Sequence, residues 1–221
     1  MAGGSVIPTL AGVVRGLLIL FWAVPGVLLA DIAMALDFAW RQFGFAPTVV
    51  AAGSLVFGLL ELRRFHPRER VWRHALDRAL VLALILLALS PLPVWWSRAP
   101  AERFFAQGMV VLVFAGLAFL VALNDVLRRL SAMLPDETLR LETRFFTRLN
   151  TSLLLGMAAS VGLWLTFRLY PPASPILSTL RLFLEATRPW LLIMALLLPV
   201  ALTMTLLWKT KGVILLSVFR G

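Results

Sequence analysis

The chain has 221 residues, of which 61% are hydrophobic and 14% charged, and its mean hydropathy is +0.91. This balance excludes a soluble globular protein, because too few polar residues remain to cover a water-exposed surface, and it predicts an all-α, polytopic membrane protein. The net charge of +10 falls in short segments between apolar runs, which indicates membrane orientation and contact with anionic lipids and excludes nucleic acid as a partner.

Apolar runs of membrane-spanning length predict a six-helix transmembrane bundle that forms one domain over residues 1–221. The predicted spans are approximately 17–36, 47–62, 79–96, 104–127, 149–170 and 190–208. A hydrocarbon core of about 30 Å needs about 20 helical residues, which these runs approach or exceed. Since five runs follow the first, we expect that the first run is a span and not a cleaved signal peptide.

Two polar side chains inside the apolar runs are candidates for an intramembrane polar site. Asp31 lies within the first run, and an unpaired carboxylate in lipid is costly enough to be a functional hypothesis. The alternative is that the span ends sooner and Asp31 lies at the outer interface, since Asp37 and Arg41 follow it at helical pairing distance. Gln107, near the start of the fourth run, is expected to be buried and to bond a neighbouring backbone.

Small residues predict where helices pack closely, because backbones can approach one another only where side chains are small. Gly53 and Gly58 are such positions in the second span. Ser152, Gly156 and Ser160 follow one another at four-residue steps in the fifth span. This spacing predicts that one stripe of that helix faces another helix.

The turn between the second and third spans carries arginines that we expect to contact lipid head groups. Glu69 and Asp77 lie at helical pairing distance from Arg73, which leaves four arginines of the turn without a partner among these two acids: Arg63, Arg64, Arg68 and Arg70. Both histidines of the chain lie in or near this turn, but no carboxylates surround them at metal-ligand spacing, so we expect no metal site.

The segment before the fifth span has the pattern of an amphipathic helix. Arg140, Arg144 and Arg148 form one stripe, and Phe145 and Phe146 lie opposite it. We expect a cytoplasmic helix that lies in the membrane interface and places these arginines at head groups. A helix that docks on a partner protein is the alternative, since the same two faces suit a groove.

The distribution of basic residues predicts the orientation. Fifteen of the 21 lysines and arginines fall on the side of the termini and the two arginine-rich turns, and six fall on the other side. By the positive-inside rule, we expect both termini in the cytoplasm and the protein in the inner (plasma) membrane.

The sequence contains no recognisable catalytic, cofactor-binding or metal-binding motif. It lacks cysteine, which excludes thiolate ligands, disulfides and cysteine nucleophiles. Neither histidine lies inside a predicted span, and no phosphate-binding loop occurs. We therefore expect no catalytic residue and no cofactor. An enzyme acting on lipid, with Glu61, Asp125 or Glu142 as the acid, is disfavoured because neighbouring arginines account for these carboxylates.

Two functional classes follow. The first is a non-catalytic subunit or scaffold that packs against other membrane proteins, as the small-residue faces and the scarcity of intramembrane charge indicate. The second is a small transporter, or the membrane component of a transport system, with a polar site around Asp31. Prolines 25, 91 and 199 in or near the spans favour the second class, because broken helices often line transport sites.

Overall fold

The computed structural model describes residues 6–35, 42–65, 69–133, 137–169, 178–179, 182 and 197–215. Within these ranges the regular structure is helical and no β-strand occurs, which confirms the predicted all-α class. The helices whose bounds the structure describes are α1 (Val6–Ala35), α2 (Ala46–Arg63), α3 (Arg70–Leu89), α4 (Leu92–Arg98), α5 (Arg103–Met133), α6 (Glu137–Leu169) and α7 (Leu197–Leu215).

Six helical segments in the described part of the chain are long and apolar enough to cross a membrane, with α3 and α4 together forming one of them. Large apolar side chains such as Trp22, Val50, Phe104 and Leu155 lie exposed on the outside of the bundle. A water-soluble protein would bury such side chains, whereas lipid accommodates them. These features suggest a multi-pass membrane protein.

Most helices extend past the predicted spans: α1 begins at Val6 instead of residue 17, α3 begins at Arg70 instead of residue 79, and α5 ends at Met133 instead of residue 127. The amphipathic segment around Arg144 is not a separate element, because α6 runs without a break from Glu137 to Leu169. The last helix continues past the predicted end at Trp208 to Leu215. Hydropathy marks only the apolar part of a helix, so polar turns at its ends escape the prediction. Residues 190–196, where the sixth span was predicted to begin, lie outside the described residues.

Helices α1 and α2 form an antiparallel hairpin whose backbones approach closely at two glycines. A Cβ atom added to Gly16 would lie 2.9 Å from the carbonyl oxygen of Gly58, and one added to Gly58 would lie 2.8 Å from Cγ of Leu20. No larger residue fits at either position without moving its neighbour. The close packing of the two helices of the hairpin therefore requires a glycine on each of them.

The span formed by α3 and α4 breaks at Ser90 and Pro91. Proline lacks a backbone N–H and so leaves carbonyls of the preceding turn without helical partners. The carbonyl oxygen of Leu87, which an N–H at residue 91 would serve in a regular helix, accepts from the Ser90 hydroxyl over 2.7 Å. The carbonyl oxygen of Ser90 lies 2.7 Å from the Thr48 hydroxyl of α2, which also lies 2.8 Å from the carbonyl oxygen of Phe45 and shares its one proton between them. Hydroxyl groups of the break itself and of a neighbouring helix thus contact the carbonyls at the break, as irregular backbone within a membrane requires.

The two arginine-rich turns lie at the same end of the bundle. Arg63 at the end of α2 pairs with Asp77 of α3 at 3.3 Å, and the indole of Trp72 donates to the carbonyl oxygen of Phe65 across this turn over 3.0 Å. Gly108 near the start of α5 packs against Leu92 at the opposite end of α3 and α4. Helix α5 is therefore antiparallel to α3 and carries its own arginines back to the end where α3 begins.

Helix α7 lies antiparallel to α6 and also contacts α5. The ammonium of Lys209 pairs with Glu142 at 2.6 Å, which places the end of α7 beside the start of α6. Deeper in the bundle, the Thr203 hydroxyl oxygen accepts hydrogen bonds from the amides of Asn124 and Asn150 over 3.1 and 2.9 Å. Polar bonds of this kind hold helices together in lipid, where apolar burial gives little preference for protein contacts.

Candidate binding cavity around Asp31

A cavity of about 320 Å³ lies among α1, α2, α3, α5, α6 and α7. Helices α1 and α5 supply most of its wall through residues at the spacing of one helical face. The lining residues are Val24, Val27, Leu28, Asp31, Ile32, Ala35, Leu55, Leu86, Met109, Leu112, Val113, Gly116, Leu117, Phe119, Leu120, Met157 and Val200. Ile32 and Val113 are also exposed at the bundle surface, so the cavity reaches the outside of the protein.

Asp31 is the one ionisable residue in this lining. It lies one turn before Ala35 on the face of α1 that also carries Val24, Val27 and Leu28. No described residue forms an ion pair or hydrogen bond with its carboxylate. An unpaired carboxylate in an apolar wall can neutralise one positive group of a ligand whose remaining surface is apolar.

Gly116 leaves part of the cavity open. A Cβ atom added at this position would meet no atom of the described residues within 4 Å, and Gly116 belongs to the lining. A side chain at residue 116 would therefore project into the cavity instead of against a neighbouring helix. A larger residue at position 116 would therefore reduce the volume of the cavity.

The structure corrects the expectation for Gln107. Its side chain is exposed near the start of α5 and does not line the cavity with Asp31. The first cavity residue on α5 is Met109. Gln107 and Met109 are two residues apart, about half a helical turn, so their side chains point to nearly opposite sides of α5. The sequence alone could not determine which of these sides is turned inward.

Two of the arginines that lacked an evident partner in the sequence are paired in the structure. Besides the Arg63 pair with Asp77, Arg64 pairs with Glu61 at 3.2 Å, and on α6 Arg140 pairs with Glu137 at 3.5 Å. The bend of the chain between α2 and α3 brings Asp77 back to Arg63, which helical spacing did not indicate. Among the described residues, acids that pair with the arginines reduce the charge available to lipid.

The other predicted head-group arginines differ in what the structure describes. Arg70, Arg144 and Arg148 are exposed and pair with no acidic residue of the described ranges. Arg68 lies outside those ranges. The exposed arginines remain the best placed for head-group contact.

The predicted packing positions divide into three groups. Gly58 lies at a close helix contact as expected, although its partner Gly16 was not predicted. At Gly53, in contrast, an added Cβ atom would meet no atom of the described ranges within 4 Å, so within these ranges the expected close contact is absent. Ser152, Gly156 and Ser160 are exposed, and no described helix of this chain covers them.

The buried amides of Asn124 and Asn150 form a polar cluster with Thr203 that sequence reasoning missed. All of these side chains are fully buried. The sequence prediction gave Asn150 and Thr203 no role. An amide placed inside an apolar helix would have been the usable signal, because such groups need a partner within the protein.

No three histidine, aspartate or glutamate residues of the described ranges lie close enough together to hold a metal ion. Comparison with known proteins found no protein-family model, no curated protein and no solved structure that matches this chain.

Proposed function

We propose that the chain is a multi-pass inner-membrane protein that binds an amphipathic cation in the cavity and acts as a small transporter or as the membrane component of a transport system. Both termini and the arginine-rich turns face the cytoplasm in this proposal, because basic residues are retained on that side. Exposed arginines such as Arg70 and Arg144 then contact anionic lipid head groups.

The observation that carries the proposal is the single unpaired carboxylate in an apolar cavity. A ligand with a hydrophobic body and one positive charge complements both the wall and Asp31. A neutral lipid tail would fill the wall but leave the carboxylate unpaired, and an anion would be repelled by it. The exposed Ile32 at the cavity edge gives the ligand access from the surface.

Binding of radiolabelled hexyltrimethylammonium to the purified protein in lipid nanodiscs tests the proposal. We expect saturable binding above that of protein-free nanodiscs. In Asp31→Asn, we expect binding to weaken about ten- to hundredfold, because an interaction with a charged group contributes about 1.5–3 kcal/mol. Nonan-1-ol, an uncharged amphiphile of similar size, should compete poorly. In proteoliposomes the permanent charge limits passive leakage, so protein-dependent uptake should follow the same order among the variants.

Gly116→Leu with Gly162→Leu as its control separates the cavity from general effects on the bundle. Both glycines have open space around an added Cβ atom, but only Gly116 lines the cavity. We expect Gly116→Leu to abolish probe binding and Gly162→Leu to leave it unchanged. Equal binding by Asp31→Asn and the wild type would show that the carboxylate is not the counter-ion and would overturn the proposal.

A second candidate function is that of a subunit which packs on other membrane proteins through α6. Only 17% of the apolar window of α6 is buried inside the chain, compared with 33–44% for the other five spans. The exposed face includes Ser152, Gly156 and Ser160, which would let a partner helix approach closely. Lipid covers such a face as well, but the spacing of small residues favours a helix.

Mass measurement after extraction from native membranes in mild detergent tests the subunit function. We expect the wild-type chain to be part of a complex heavier than the 24.5 kDa monomer. Gly156→Leu should release the monomer, since the new side chain blocks close approach, whereas Gly162→Leu on the same helix should keep the complex intact. A monomeric wild-type protein would contradict this function.

A further inference from the structure

Six buried polar side chains on α5, α6 and α7 form a row that we call the polar seam. Five of them have 0% exposure and Thr147 has 8%. The spacing of the three on α6 and of the two on α7 places each set on one face of its helix. The seam consists of Asn124, Thr143, Thr147, Asn150, Thr203 and Thr210. Hydrophobic burial does not explain these residues, because each brings a polar group into the apolar interior.

The hydrogen bonds at Thr203 fix the orientation of both amides. The hydroxyl of Thr203 donates its one proton to the carbonyl oxygen of Pro199 over 2.8 Å, so its oxygen can only accept from Asn124 and Asn150. The same amide nitrogens also donate to backbone carbonyls, over 2.7 Å to Leu120 and 3.2 Å to Pro199. Carbonyl oxygens cannot donate, so neither amide can be turned around.

This orientation leaves both amide oxygens without a hydrogen-bond donor. Oδ1 of Asn124 and Oδ1 of Asn150 are buried and unpartnered, as are the hydroxyl oxygens of Thr143, Thr147 and Thr210. A buried polar atom left without a partner costs about 1–3 kcal/mol. Five such oxygens in one seam are therefore too costly for a dry interior, and they require a ligand that oxygen atoms can bind.

The seam joins the cavity to the charged end of the bundle. Leu120 and Val200 line the cavity, and Asn124 and Thr203 follow them by about one helical turn on α5 and α7. At its other end, Thr143 and Thr210 adjoin Glu142 and Lys209, which form an exposed ion pair. The unpartnered oxygens are thus distributed between the cavity and the arginine-bearing end of the bundle.

We propose that the polar seam is a hydrated path that binds a small monovalent cation. Amide oxygens accept hydrogen bonds and coordinate cations but cannot bind an anion. The seam has no carboxylate, so its neutral oxygens do not compensate for the dehydration of a divalent ion such as Mg²⁺. Water fills the remaining positions and satisfies the threonine hydroxyls. Asp31 and the amphipathic cation are not needed for this binding.

Silver ions test the path, because they are small, monovalent and thiol-reactive. The wild-type chain contains no cysteine, so a single introduced thiol reports only its own position. In nanodiscs with nitrate as the anion, we expect Ag⁺ to protect Thr147→Cys and Thr210→Cys from later maleimide labelling in denaturant. The rate at which Ag⁺ protects these thiols should be at least about tenfold higher than the rate for Ala79→Cys. Ala79 on α3 is fully buried among apolar residues.

The two seam positions lie on different helices, so if one variant misfolds, the other still tests the proposal. Thr143→Cys provides a third position. Each variant is tested as a monodisperse protein with a melting temperature near that of the wild type. Protection of the seam thiols but not of Ala79→Cys supports the path. Protection no faster than at Ala79→Cys in the folded seam variants overturns it. The result does not depend on the binding of hexyltrimethylammonium, so the two proposals can fail separately.

Discussion

Gly16→Ala is expected to destabilise the bundle by about 1–3 kcal/mol, a typical cost of adding volume to a packed contact. The new Cβ atom would lie 2.9 Å from the carbonyl oxygen of Gly58 and 3.1 Å from Cγ of Leu62. A backbone oxygen cannot rotate away as a flexible side chain can, so α1 and α2 must separate. The separation also weakens the packing of Leu20, which is fully buried. The free energy of unfolding in a titration with denaturing detergent measures the effect.

Gly53→Ala is the matched control, because it makes the same chemical change on α2 where an added Cβ atom meets nothing within 4 Å. There, alanine should be neutral or should stabilise the helix by about 0.5–1 kcal/mol through its lower conformational entropy. Gly58→Ala should resemble Gly16→Ala in sign, since its Cβ atom would lie 2.8 Å from Leu20. Equal changes in the free energy of unfolding for all three variants would show that α1 and α2 do not approach closely at Gly16 and Gly58.

The contrast between Gly53 and Gly58 shows how far the sequence could predict the fold. The number of spans follows from hydrophobic runs, since lipid imposes a length and an apolar composition on each helix. Which small residue lies at a helix contact depends on the rotation of each helix about its axis. The sequence of α2 is apolar on all sides, so neither face is marked as inward, and both glycines were equally good candidates.

The candidate site was predictable only in part, because the rotation of each helix about its axis also determines which residues line the cavity. Asp31 was found because a carboxylate inside an apolar run stands out at any rotation of the helix. Its surroundings were not predictable, because the cavity is made of ordinary apolar residues whose arrangement depends on the tertiary structure. Asn150 could have been found by the criterion that identified Asp31, but Thr203 could not, since a threonine in a span usually bonds its own helix.

Helix pairing also limited the predictions of charge. The pair between Arg63 and Asp77 joins two helices, and spacing along one helix gives no indication of it. Asp125, in contrast, pairs within its own helix with Arg128 and with Arg129, the latter at 3.9 Å, and both arginines lie at helical pairing distance from it in the sequence. Local pairs can thus be read from a sequence, whereas pairs across a turn require the direction in which the chain returns.

Thr203→Val is expected to destabilise the bundle by about 1–3 kcal/mol, the second large effect. The variant keeps the shape of the side chain but removes the oxygen that accepts from Asn124 and Asn150 and donates to Pro199. Interhelical hydrogen bonds in membranes contribute about 0.6 kcal/mol on average, with larger values for some. The net cost is moderate because each amide nitrogen keeps one backbone carbonyl as a partner.

Thr205→Val on the same helix is the control for this variant. Thr205 is exposed. Among the described residues, its hydroxyl donates to the carbonyl oxygen of Ala201 of its own helix, over 2.9 Å. We expect a change within about 0.5 kcal/mol, as is usual for a surface substitution. Similar losses for the two variants would mean that Thr203 does not join α5, α6 and α7.

A double-mutant cycle between Thr203→Val and Asn150→Ala isolates the contact between α7 and α6. If the hydroxyl and the amide bond directly at 2.9 Å, the double variant should lose less stability than the sum of the two single variants, by about 0.5 kcal/mol or more. Additive losses would place the two side chains out of contact. Since this bond also fixes the direction of the Asn150 amide oxygen, an additive result would remove one unpartnered acceptor from the polar seam as well.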